Sequence, residues 1–191
     1  MPGPNTPPLR KTRVIEGIAP DAIPLEALME EQQPSILRGV AHDWPLVRAG
    51  ITAPEQAIAY LKSFYCGKRV VGFAGRPEIK GRFFYNDDVT AMNFEAGRVL
   101  LDELLDRLQA EWHDDRGPAY YVGSTDLDTY LPGLREENDL ALDQAVLGDS
   151  PPIVSIWIGN RTTASAHYDM SNNMAVCVDS TPLGFPVVPD V

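Results

Sequence analysis

The sequence predicts a single α+β domain, in which helices and strands of the N-terminal part lead into a core of β-strands. Helical periodicity is clearest from Leu101 to Trp112, where apolar residues recur three and four positions apart. Runs of β-branched and aromatic residues, such as Ile153–Ile158 before the turn pair Gly159–Asn160, predict strands. Because the 191 residues contain neither an internal repeat nor a linker-like segment, one domain with a sizeable core is expected.

Composition and charge exclude several classes of partner. The formal net charge of -11 would repel a nucleic-acid backbone and an anionic membrane surface, so a basic or neutral substrate is expected. Cys66 and Cys177 stand far apart, which predicts neither a disulfide framework nor a zinc site. No apolar run reaches the length of a membrane span, and the N-terminus has no signal-peptide core. Together these features predict a soluble, cytoplasmic protein.

The N-terminal elements follow from local signals. Residues 1–13 are rich in proline and poor in residues that could be buried, which predicts a disordered leader before a domain spanning 14–191. Pro24 suits the first position of a helix, and an apolar stripe continues that helix to about Glu31. Ser35–Arg38 is extended in character, and the segment around Trp44–Pro45 predicts a loop with a brief helical turn.

A second helix is predicted from Thr52, because Glu55 stands three residues later in a capping-box spacing. Lys68–Ala74 and Gly81–Tyr85 are predicted to be strands of a hairpin-like region. Pro118–Val122 predicts another strand, and short helical turns are expected in the loop that follows it. The aromatic residues at 83–85 and 157 are expected in the core.

A His-x-Asp pattern near the C-terminal end carries the clearest chemical signal. On a strand, side chains two residues apart project to the same face, so Ser165, His167 and Asp169 would point together. Non-haem iron oxygenases need two histidines and one carboxylate on one face of the metal, and this pattern would supply two of the three ligands. The competing interpretation is a partly buried histidine bonded to a neighbouring aspartate, since the same spacing is common by chance.

Three segments, in order, resemble the cupin-like branch of the JmjC-domain oxygenases that depend on 2-oxoglutarate and Fe(II), a group that includes the asparaginyl hydroxylases. They are SILRGVAHDWPLV, GRFFYNDDVTAMNF and SIWIGNRTTASAHYDMSNNMAVCV, and the resemblance covers roughly residues 14 to 178. It implies a jelly-roll, or double-stranded β-helix, core of cupin type. It also implies that His167 and Asp169 match two ligands of the iron.

The resemblance implies further residues for the keto acid. Asn173 matches a polar residue beside the metal, and Tyr121 is similar to a tyrosine that hydrogen-bonds the far carboxylate of 2-oxoglutarate. A core tyrosine is the alternative, and Tyr120 is the neighbouring candidate because the strand register is open by one residue. Family members often carry a threonine three residues before the iron-binding histidine. Here Ala164 stands at that position, and the flanking Thr163 and Ser165 are the candidate replacements.

The end of the chain departs from the family pattern. The last residues read DSTPLGFPVVPDV, with no histidine after His167 and no basic residue after Arg161 to bind the keto acid. His42 and His113 are expected at the surface rather than as the second histidine ligand. These features predict an incomplete jelly roll after about residue 178, truncated at the C-terminus, with strand edges through which copies could associate.

Three functions therefore remain open from the sequence. The first is an oxygenase that hydroxylates a protein side chain or a small molecule and uses Fe(II) and 2-oxoglutarate. The second is a non-catalytic, truncated remnant or binding module of the cupin fold. The third is a metal-dependent cupin of isomerase or sugar-modifying type, although such cupins usually carry more histidine ligands than this sequence offers.

Overall fold

A computed structural model describes residues 11–114, 116–149, 151–160, 162–164 and 171–178. This part of the chain forms six α-helices and eight β-strands, with two short 3-10 turns. The helices are α1 (Leu25–Glu31), α2 (Pro45–Thr52), α3 (Pro54–Phe64), α4 (Leu101–Glu111), α5 (Leu127–Tyr130) and α6 (Gln144–Leu147). The strands are β1 (Arg13–Glu16), β2 (Ser35–Arg38), β3 (Val70–Gly75), β4 (Arg82–Phe83), β5 (Phe94–Val99), β6 (Ala119–Asp126), β7 (Ser155–Gly159) and β8 (Thr163–Ala164).

The centre of the molecule is a four-stranded sheet in the order β5-β3-β6-β7. All its neighbouring strands are antiparallel, and the register aligns Phe73 with Tyr121 and Tyr121 with Gly159. Two short parallel pairs accompany it, β1 with β2 and β4 with β8. This mixture of helices and an antiparallel sheet confirms the α+β class.

The hydrophobic core lies between one face of the central sheet and the helices. Leu101, Leu105 and Leu108 of α4 are fully buried against Val122 of β6 and Ile158 of β7. Their spacing of three and four residues places them on one side of the helix, as the sequence predicts. The Lys62 ammonium pairs with the Asp106 carboxylate and joins α3 to α4 at the surface.

Several predicted elements are confirmed at or near their expected bounds. Helix α1 ends at Glu31, strand β2 spans Ser35–Arg38, and α4 covers the strongest helical pattern. The strand expected at Pro118–Val122 is present and continues to Asp126 as β6. Strong local patterns were sufficient in each of these cases because the local preference and the tertiary packing agree.

The capping box predicted at Thr52 and Glu55 is wrong. The helical turn expected near Trp44–Pro45 extends through Thr52 as α2, and the Thr52 hydroxyl donates to the Arg48 carbonyl oxygen within that helix, at 2.9 Å. Helix α3 instead starts at Pro54, whose fixed φ suits a first helical position.

The predicted hairpin-like pairing of 68–74 with 81–85 is also wrong. Strand β3 pairs with β5 and β6, whereas the short β4 pairs with β8, which lies about eighty residues later in the chain. Strand β5 was not predicted, because its sequence FEAGRV carries two charges and a glycine, which weaken the strand signal. Its pairing with β3 is what stabilises it.

Most of the predicted leader, residues 1–10, lies outside the described residues, and the first strand begins at Arg13. The predictions for residues 179–191, including the C-terminal truncation, also fall outside them. Within the described ranges, no helix is both long and apolar enough to cross a membrane.

Candidate functional site

The face of the central sheet that points away from the helices carries a cluster of aromatic rings, which we call the aromatic face. Tyr121 lies at its centre. Successive residues of a strand point to opposite faces, and the next residue, Val122, is buried in the core, so Tyr121 points to the aromatic face. Its ring centroid lies 5.9 Å from Phe73, 5.6 Å from Phe83 and 5.9 Å from Trp157. Phe94 completes the cluster at 5.4 Å from Phe73.

The hydroxyl of Tyr121 is buried in this cluster and has no hydrogen-bond partner among the described residues. The ring lies along β6 over Gly123, where an added Cβ would come within 3.0 Å of the hydroxyl oxygen. Burial raises the pKa of Tyr121 well above its usual range, because the phenolate would be poorly solvated there. The group therefore stays protonated and can donate a hydrogen bond at any ordinary pH.

A second buried hydroxyl without a partner belongs to Thr162. The Thr162 side chain occupies the space over Gly159, where an added Cβ would lie 2.8 Å from its Oγ1. Gly159 pairs directly with Tyr121 across the two strands, so both hydroxyl-bearing side chains lie on the aromatic face. The absence of a side chain at Gly159 makes room for this arrangement.

Asn160 follows β7 directly and connects this segment to β6. It is fully buried, its Oδ1 accepts from the Tyr120 N–H at 2.7 Å, and its Nδ2 donates to the Pro118 carbonyl oxygen at 3.1 Å. Its own backbone N–H donates to the Tyr120 carbonyl oxygen at 3.2 Å. Asn160 therefore ties the turn after β7 to the start of β6.

The structure assigns the two neighbouring tyrosines to different faces. Tyr120 packs against the helical core, whereas Tyr121 lies on the aromatic face. Of the two residues between which the sequence could not choose, only Tyr121 is therefore placed to contact a ligand on that face.

The other predicted keto-acid residues are less central. Thr163 is exposed in β8, and its N–H donates to the Gly81 carbonyl oxygen at 2.8 Å, which joins β8 to β4. Asn173 is exposed in the segment 171–178. Ser165, His167 and Asp169 lie outside the described residues.

Thr162 is the residue that the sequence analysis missed. The candidates named from the sequence were Thr163 and Ser165, which flank Ala164 and would share a strand face with His167. The chain is not a continuous strand there, since a turn separates β7 from the two-residue β8. The sequence feature that could have indicated Thr162 is Gly159, because a glycine often marks a place where another part of the chain approaches closely.

The aromatic residues were predicted to be buried in the core, and the two histidines outside the His-x-Asp pattern were predicted to be exposed. Trp157, Phe84 and Tyr85 are 36%, 50% and 42% exposed, so the expectation that they are core residues is wrong. Phe83 is half-buried in the aromatic face. His42 and His113 are both exposed, as predicted.

A recess of about 450 Å³ is lined by Lys80, Arg116 and Glu78 at the end of the sheet where β6 begins. It includes Gly81, the residue that binds β8 through its carbonyl oxygen. The described residues hold no group of three or more histidine, cysteine, aspartate or glutamate side chains that could bind a metal ion. The described residues do contain two buried hydroxyls without a hydrogen-bond partner, those of Tyr121 and Thr162, and such a group can donate to a carboxylate.

The chain was compared with models of known protein families. A family model described as a cupin-like domain matches residues 20–180, which is most of the chain. A search of curated proteins gave no significant match.

Proposed function

The chain belongs to the cupin-like domain family, and we propose that it is a 2-oxoglutarate- and Fe(II)-dependent oxygenase of the JmjC type. The observation that supports the proposal best is the buried hydroxyl of Tyr121, which has no acceptor among the described residues and lies on the sheet face opposite the core. The family resemblance independently predicts this tyrosine as a ligand of the keto acid. An acceptor such as a carboxylate would remove the cost of burying its hydroxyl alone.

In this proposal His167 and Asp169 bind the iron, and Asn173 lies beside it. The central sheet, with β4 and β8, forms part of a jelly-roll core whose inner wall is the aromatic face. The presence of both the W-x-G-N and A-H-Y-D motifs supports the asparaginyl-hydroxylase-like branch in this proposal. When bound, iron would supply the oxidising chemistry with dioxygen as the oxidant and 2-oxoglutarate as the co-substrate that is decarboxylated to succinate and CO2.

In this proposal Tyr121, the aromatic rings around it and Asn160 have different roles. Tyr121 keeps its proton and donates it in a hydrogen bond to the far carboxylate of the keto acid. The rings of Phe73, Phe83 and Trp157 exclude water around that hydrogen bond, which strengthens it. Asn160 fixes β6 against the turn that leads to the metal-binding segment.

The net charge of -11 favours a basic or neutral substrate, either a protein side chain or a small molecule. We also propose that the protein is cytoplasmic and that copies of it associate through exposed strand edges.

The test is conversion of 2-oxoglutarate to succinate by the purified chain with Fe(II), followed by NMR. Turnover that requires iron and is lost in both His167→Ala and Asp169→Ala is expected. The matched control is His42→Ala, because His42 is exposed and lies in a different part of the chain. If the iron-loaded chain neither turns over nor binds 2-oxoglutarate, the oxygenase is excluded and a non-catalytic binding module takes its place.

A further inference from the structure

Gly123 lies directly beneath the Tyr121 ring. An added Cβ would lie 3.0 Å from the Tyr121 Cε1 and hydroxyl oxygen and 3.1 Å from its Cζ. These distances are shorter than the optimal contact between such atoms, so three atoms of one rigid ring would have to move together. Gly123 is not among the glycines with a positive φ, so its backbone conformation does not require glycine. The close approach of the ring does.

Packing of an aromatic ring on a glycine is the simpler explanation of this contact, and the hydroxyl argues against it. A phenyl ring would cover Gly123 equally well, whereas Tyr121 buries a hydroxyl that has no partner among the described residues. Leaving such a group unpaired destabilises the folded protein. Ring packing alone would therefore favour phenylalanine at this position.

Strand β6 is also irregular at this point. It has two residues, Gly123 and Ser124, where the facing strand β7 has only Trp157. Ser124 adopts a left-handed φ of 49°. Gln32 and Lys80 adopt a similar φ at the ends of helical segments, where it is common, but Ser124 lies within a strand. Such bulges are frequent next to functional sites, where they change the direction of a side chain.

We infer that Gly123 is a positioning residue for Tyr121. It lets the phenol ring lie along β6, so that the buried hydroxyl is held at one place on the aromatic face. The hydroxyl is then oriented before a ligand arrives, which reduces the entropy lost on binding. The inference rests on the proposed function for the identity of the ligand, the keto acid, but not for the position of the hydroxyl.

The neighbouring rings decide where a displaced Tyr121 ring would move. Phe73 of β3 and Trp157 of β7 flank it on its two sides, each with a centroid distance of 5.9 Å. A side chain at Gly123 therefore moves the ring away from the sheet, where its hydroxyl becomes accessible to water.

Nitration of the full chain by tetranitromethane, mapped by mass spectrometry, reports which phenols are accessible. In the wild type Tyr121 should stay unmodified while Tyr85, which is 42% exposed, reacts. Gly123→Val fills the space under the ring with a side chain that suits a strand, and Tyr121 should then react about as fast as Tyr85. Gly97→Val, the matched control, changes a strand glycine with no atom within 4 Å of an added Cβ and should leave Tyr121 unmodified.

Binding of 2-oxoglutarate, measured by ligand-observed NMR with Zn²⁺ as a redox-inert substitute for iron, connects this position to the ligand. Gly123→Val should weaken binding by roughly 10-fold or more, the effect of one lost hydrogen bond to a charged group. Gly97→Val should stay within about twofold of the wild type. In the Tyr121→Phe background, Gly123→Val should weaken binding no further, because both changes remove the same hydrogen bond.

Continued protection of Tyr121 in Gly123→Val would overturn the inference and leave the proposed function standing. So would a further loss of binding in the double variant, because the valine would then block the ligand directly. If Gly123→Val unfolds the chain, Gly123→Ala is measured in the same two ways and judged by the same outcomes. Absence of 2-oxoglutarate binding by the wild type would overturn the proposed function, whereas the nitration pattern would still decide the position of the hydroxyl.

Discussion

At the scale of single residues, the candidate site contains buried polar groups of two kinds. Some have hydrogen-bond partners among the described residues, and others have none. Tyr121 and Thr162 each bury a hydroxyl without an acceptor, whereas the equally buried Asn160 satisfies both ends of its amide. The first two are costs to the unliganded protein, and the third stabilises it. Such costs are typical of sites where stability is lost in exchange for binding.

Tyr121→Phe should therefore leave the unliganded protein as stable as the wild type or stabilise it by about 1–2 kcal/mol at pH 7, because it removes a buried hydroxyl that has no partner. The matched control is Tyr65→Phe. The Tyr65 hydroxyl donates to the Lys68 carbonyl oxygen at 2.6 Å and accepts from the Leu101 N–H at 3.1 Å. Its loss should cost about 1–2 kcal/mol. Urea unfolding measures both, and a clear destabilisation by Tyr121→Phe would contradict the environment described here.

The same tyrosine predicts a pH dependence. Because burial raises the pKa of Tyr121 in the folded state, the unfolded chain loses that proton first as pH rises above about 10. The unfolded state then binds fewer protons than the folded state, so stability falls with increasing pH. Tyr121→Phe should reduce this fall. Unfolding free energies of the two proteins between pH 8 and 11 test it, and parallel curves would refute it.

At the scale of elements, the turn from β7 to β8 decides how the site is built. Gly159 ends β7, the Thr162 side chain lies over it, and β8 pairs with β4. This segment connects the four-stranded antiparallel sheet, which contains β7, to the parallel pair of β4 and β8. The site therefore depends on the close approach that a glycine allows.

Gly159→Ala should destabilise the protein by about 1–3 kcal/mol, because the new Cβ would lie 2.8 Å from Thr162 and 2.9 Å from the Tyr120 carbonyl oxygen. The backbone oxygen in particular cannot rotate away. Gly97→Ala is the matched control, since that glycine lies in β5 with no atom within 4 Å of an added Cβ. Its effect should stay within about 0.5 kcal/mol. Equal melting temperatures for both variants would show that the turn is looser than described.

At the scale of the whole molecule, stability is concentrated on one side of the central sheet. The buried leucines of α4 pack there, while the opposite face carries half-buried and exposed aromatic rings. The hydrophobic core and the aromatic face thus lie on different faces of the same strands. Alternation along each strand makes this division possible.

Leu105→Ala should cost about 2–5 kcal/mol, since that side chain is fully buried in the core and its removal leaves a cavity. Ile51→Ala, at a helical residue that is 69% exposed, is the control and should change stability by less than about 0.5 kcal/mol. Chemical unfolding provides both values. A loss below 1 kcal/mol for Leu105→Ala would mean that the core is not where the structure places it.

The sequence by itself determined the elements with strong local patterns, such as α1, β2 and α4, and it identified Tyr121 as a candidate ligand of the keto acid. Only the tertiary structure decided that β3 pairs with β5 and β6 rather than with β4, that Tyr121 and Tyr120 lie on opposite faces, and that Thr162 lies over Gly159. The reason is physical: periodicity is a property of neighbouring residues, whereas strand pairing and the burial of a hydroxyl depend on segments distant in the chain.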